Sequence, residues 1–169
     1  MAPDSPQHIL RPVRLSTIVA SFVGALVLSF LPWPDLRVVP DFVALVVAFW
    51  CVRQPRLVGL GTAWSVGLVA DAGNGVLLGQ HALAYCVLAF LCIWLSRRIL
   101  WFRQPQQVLH VLVLLLVCEA VLLVVGIAAG ARFPGWTLLV GPVIGAALWP
   151  ALTWLLLLPQ RRLEREQVL

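Results

Sequence analysis

Lysine is absent from this chain, and charge of either sign is scarce. Charged residues make up 11% of the sequence, where soluble domains carry about 25%, so composition excludes an ordinary soluble globular protein. The signatures of common enzyme classes are missing too. There is no GxSxG elbow, no HExxH, no Walker loop and no pair of carboxylates on one helix face. No polar stretch is long enough to fold as a separate soluble domain, so catalysis would have to draw on intramembrane groups, namely Asp71, His81 and Glu119. The chain reads as a non-enzyme without cofactor or metal. Its four cysteines, Cys51, Cys86, Cys92 and Cys118, form no CxxC pair and lack histidine spacing suited to zinc. They read as small apolar fillers.

What is present is apolar surface and arginine. Apolar residues make up 62% of the chain, the mean hydropathy is +0.98, and the net charge of +5 rests on twelve arginines. These sit beside apolar runs and form no continuous basic surface, which excludes nucleic acid as a partner and leaves the lipid bilayer. Arg11 and Arg14 precede the first run, Arg53 and Arg56 fall in a later gap, Arg97, Arg98 and Arg103 in another, and Arg161, Arg162 and Arg165 close the chain. The intervening gaps hold only Arg37 and Arg132. Arginines flanking a span are retained on the cytoplasmic side, so this alternation predicts a multi-pass protein with both termini cytoplasmic.

Crossing roughly 30 Å of hydrocarbon takes about 20 apolar residues in helix. Six segments come close: 13–31, 36–52, 57–70, 81–101, 108–131 and 136–158. The first exceeds the roughly 7–15 residues of a signal h-region, and Leu31-Pro32-Trp33-Pro34 offers no small-residue cleavage site. It reads as a retained helix. Tryptophan marks the same boundaries, with Trp33 and Trp136 near the outer interface and Trp50, Trp101 and Trp154 near the inner one. Trp64, Trp94 and Trp149 fall deeper and read as packing residues. The third segment spans about 21 Å as helix, too short to cross without thinning, tilted neighbours or irregular extensions. The following run from Asp71 to Gln80 contains Gly73, Gly75 and Gly79 and remains half apolar. It is either a protein-buried loop folded back into the membrane or an ordinary outer loop.

Small residues recur where helices would approach closely. Gly59, Ala63, Gly67 and Asp71 give the third helix a stripe of four-residue spacing ending in a carboxylate, and Gly126 with Gly130 and Gly141 with Gly145 add two pairs. Ala20 and Gly24 do the same more weakly. The third-helix stripe is the expected helix interface, with packing inside the bundle as its alternative. Glu119 lies midway along the fifth segment, where a carboxylate must face a protein interior. Asp41 follows Pro40 and falls in the first turn of a helix opened by that proline, where the helix dipole favours its charge. Asp71 is placed to end its helix and organise the glycine loop through backbone amides. His81, Tyr85, Cys92 and Ser96 share one face of the fourth helix, lining a cavity or satisfying neighbours.

The order Leu31-Pro32-Trp33-Pro34-Asp35, Pro40-Asp41, Trp50, Pro55 and Gly61-Thr62 resembles the MreD family of rod shape-determining membrane proteins. The likeness continues through Gly67, Asp71, Gly75, Leu78-Gly79 and Ala82-Leu83, and returns at Leu148-Trp149-Pro150. It implies an all-α inner-membrane protein of six transmembrane helices, a single bundle similar to the substrate-capture subunits of energy-coupling-factor transporters. It further implies a non-catalytic scaffold of the cell-elongation complex that binds MreC, meets RodA and its transpeptidase, and helps control cell shape and peptidoglycan synthesis. The family assigns no catalytic residues. The chain departs from its pattern between Ile99 and Gly141. A different class of reading is a small-molecule or lipid-binding transporter subunit, motivated by Glu119 and the region from Asp71 to His81.

Overall fold

A computed structural model describes residues 15–33, 39–133 and 135–166, with side chains described to residue 158. Expectations on Arg11, Arg14, Pro34, Asp35 and Arg37, and on the side chains of Arg161, Arg162 and Arg165, lie outside this set. The described elements are all helical: α1 (Leu15–Ser29), α2 (Phe42–Arg53), α3 (Leu60–Asn74), α4 (Gln80–Trp101), α5 (Gln104–Ala128) and α6 (Val140–Glu166). A 3-10 turn, Trp136–Leu139, leads into α6. Three helical stretches, Gln80–Trp101, Gln104–Ala128 and Trp136–Leu158, are long and apolar enough to cross a membrane. The other three have 15, 12 and 15 residues, and at 1.5 Å per residue none reaches about 30 Å.

The shortest helix is the most enclosed. α2 is apolar all round, and every residue from Val43 to Val52 is buried, as expected of a helix with no polar face to turn outward. Its last residue, Arg53, places its guanidinium 5.2 Å from the Phe49 ring centroid, where the ring face attracts a cation. α4 is the hub, packing against α2, α3 and α5, while α6 lies on α5 and α1 on α2. Trp149 from α6 is 2% exposed and reaches Phe49 at 6.0 Å between ring centroids, joining the outer helix to the core.

Several expectations are corrected. The second helix begins at Phe42 rather than near residue 36, because Asp41 caps it. α3 continues through Asp71 to Asn74, so the expected ten-residue glycine run shrinks to the link between Gly75 and Gly79. That link is not a protein-buried loop, since Gly75 to Leu78 are exposed and Gly79 is half-buried. Trp50 is not an interface anchor: it is fully buried and its indole donates to Ser21 Oγ at 2.8 Å, tying α2 to α1. Trp64 and Trp94 do not pack inside the chain but face outward, at 53% and 75% exposure. Gly130 belongs to no packing pair. It ends α5 in a hydrogen-bonded turn in which Ala131 N–H donates to the Gly126 carbonyl and Gly130 N–H to that of Ile127.

Candidate functional site

Asp41, Asp71, His81 and Tyr85 gather at the end of the bundle where α1, α3 and α5 finish and α2, α4 and α6 begin. Asp71 lies in the last turn of α3 and is fully buried. Its Oδ2 accepts from Gly79 N–H at 2.8 Å and Ala82 N–H at 3.4 Å, and its Oδ1 from His81 N–H and His81 Nδ1, both at 2.8 Å. The opening N–H groups of a helix lack partners within it, and here a carboxylate from the preceding helix supplies them. Asp71 therefore does not end its own helix as expected. Gly75 does that at φ 63°, and Gly79 opens α4 at φ 100°, both in left-handed backbone where a Cβ is strained.

Beside this clasp, α3 and α4 touch at Gly67, where an added Cβ would overlap the Ala82 backbone. Ala63, Gly67 and Asp71 are all buried, and Gly59 caps the start of α3. From Ala63 to Asp71 the small-residue stripe is thus occupied by α4 of the same chain and closed to a partner helix, while Gly59 stays open. Gly141 and Gly145 serve similarly: their added Cβ atoms would lie 3.2 Å from Val39 O and 3.1 Å from Leu115 Cδ1.

Asp41 is the N-cap of α2, one position before the expected first turn. Its Oδ1 accepts from Ala44 N–H at 2.9 Å, and its Oδ2 accepts from Tyr85 O–H at 2.7 Å. Tyr85 is 1% exposed and meets His81 edge-on, with ring centroids 5.7 Å apart. Two chains of contact, Asp41 to Tyr85 and Asp71 to His81, therefore meet on one face of α4. The other two members of that face, Cys92 and Ser96, are buried further along α4, and Ser96 Oγ donates to the Ile93 carbonyl. They belong to the packing.

A cavity of about 320 Å³ opens beside these groups, lined by Asp41, His81, Tyr85 and Glu119, with Asn74 at the end of α3. Leu115, Leu122, Leu138 and Pro142 contribute to its apolar wall. No group of three or more possible metal ligands occurs among the described residues. The pairing of Asp41 with Tyr85, across 44 positions, has no local signal in the sequence. Only their separate presence as polar residues in apolar runs hinted at a shared role.

The family model described as rod shape-determining protein MreD matches residues 11–158. A curated relative, "Rod shape-determining protein MreD" of Haemophilus influenzae, is 30% identical over 156 residues, covering 89% of this chain and 91% of that protein. No solved structure matches the chain.

Proposed function

Because the chain belongs to the MreD family of rod shape-determining proteins, with a role in cell shape, we propose that it is a non-catalytic scaffold whose outer α4 face receives the membrane helix of MreC. In this reading the contact helps control peptidoglycan synthesis by positioning the elongation machinery, RodA and its transpeptidase included. The protein sits in the bacterial inner membrane with both termini cytoplasmic. All six helices cross, in a bundle like the substrate-capture subunits of energy-coupling-factor transporters, with α1, α2 and α3 spanning through local thinning and irregular extensions.

One observation carries the choice of face. Leu83, Phe90, Trp94 and Trp101 are 50%, 59%, 75% and 92% exposed, and helical periodicity sets them within about 20° of one line along about 27 Å of α4. Tryptophan favours headgroup depth, which suits Trp101 at the helix end. Trp94 lies about 10 Å further in, where a protein neighbour accounts for the ring better than lipid does. This ridge replaces the stripe through Gly59, Ala63 and Gly67 as the proposed partner contact.

The test is co-purification of MreC with Trp94→Ala and Phe90→Ala variants in mild detergent. Recovery of MreC is expected to fall several-fold, while the variants unfold like the parent because neither ring is buried. Undiminished recovery with both, together with normal rod shape, refutes the assignment. The cavity supports a second reading, a small-molecule or lipid-binding subunit.

A further inference from the structure

We propose that the cavity between α2, α4, α5 and the start of α6 binds a primary ammonium group carried on a short, partly apolar body. This narrows the ligand chemistry of the second reading and does not rest on the scaffold. The volume of about 320 Å³ falls within the range of small-molecule sites, roughly 300–1,000 Å³.

Hydrogen-bond accounting sets the polarity of the ligand. Tyr85 O–H is committed to Asp41, so its oxygen offers only lone pairs to the cavity. A carboxylate only accepts, so the contact between His81 Nδ1 and Asp71 Oδ1 places a ring proton on Nδ1, and in the uncharged ring Nε2 is then an acceptor. Asp41 and Glu119 add carboxylate oxygens. Among the described residues, no arginine lines the cavity. Apart from the Ser29 hydroxyl and the Asn74 amide, the polar side chains of the wall are acceptors, and they call for a ligand that brings donors.

A primary ammonium supplies three N–H donors and a positive charge in a compact head. Leu115, Leu122 and Leu138 leave room for the alkyl carbons behind it. A quaternary ammonium of similar size has the charge but no N–H, and this wall has no aromatic cage to compensate. The ammonium could come from an aminophospholipid headgroup or from a free alkylamine, and the experiment separates the two.

The full-length protein, purified in detergent, is incubated separately with phosphatidylethanolamine, phosphatidylcholine and n-butylamine, and occupancy is read by native mass spectrometry. Phosphatidylethanolamine retained roughly tenfold over phosphatidylcholine identifies the lipid source. Binding of n-butylamine with no such lipid preference identifies the free amine. Glu119→Gln should lower either signal by roughly tenfold. Leu138→Trp, which fills the cavity from a half-buried turn position and leaves the carboxylates in place, should abolish it. Equal retention of the two lipids with no amine binding overturns the proposal, as does binding that survives both substitutions. Neither residue lies on the α4 ridge, so MreC recovery reports separately on the scaffold.

Discussion

Replacing Asp71 by Asn keeps the side chain's shape and changes one oxygen into a donor. Oδ1 holds the His81 amide and ring, and Oδ2 holds the Gly79 and Ala82 amides. An NH2 in place of Oδ2 leaves the Gly79 and Ala82 amides facing a donor in a fully buried site, whereas in place of Oδ1 it leaves the His81 amide doing so while the His81 ring can change tautomer and accept. Either orientation therefore loses at least one 2.8 Å bond to a charged acceptor, and the bonds that remain are to a neutral amide oxygen. Hydrogen bonds to a charged group contribute about 1.5–3 kcal/mol each, so Asp71→Asn should destabilise the fold by about 2–4 kcal/mol. The assay is unfolding in mixed micelles, followed by helical circular dichroism, with proteolysis between Gly75 and Gly79 reporting local opening of the clasp. Glu119→Gln is the reference, expected within about 0.5 kcal/mol of the parent. An Asp71→Asn variant equally close to the parent, with no added cleavage, refutes the claim that this carboxylate fastens α4 to α3.

Two further substitutions test the same end of the bundle. Gly67→Ala puts a methyl into the Ala82 backbone and should cost about 1–3 kcal/mol by overpacking, read as a lower unfolding midpoint; an unchanged midpoint refutes the close approach of α3 and α4. Tyr85→Phe removes the donor to Asp41 Oδ2 while the Ala44 cap bond persists, so a loss of about 1–2 kcal/mol is expected in the same assay. No measurable loss would show that the buried hydroxyl contributes nothing to fastening α2 against α4.

Reading the sequence succeeded where the signal was local. Apolar run lengths placed α4, the hub of the bundle, to within a residue at its start, expected at His81 and observed from Gln80. Residue type also singled out Asp41, His81 and Glu119, which line one cavity, and Asp71, which is fully buried beside it. The clearest failures concerned direction. Trp94 and Trp149 both fell at depth and received one reading, yet one is 75% exposed and the other 2%. Asp71 bonds a backbone amide of the glycine link at Gly79 as expected, but it does not end its helix, and its acceptors also reach the amide and ring of His81 in α4.

The sequence by itself determined that this is a helical membrane protein and roughly where its helices break, because run length and turn residues act within a few positions of the chain. Tertiary structure alone decided which faces meet. A helix such as α2 or α4 that is apolar on nearly every side carries no polar stripe to mark its outside. Only the arrival of neighbours showed that the stripe from Ala63 to Asp71 closes on α4, that Tyr85 reaches Asp41, and that Trp94 is left facing out.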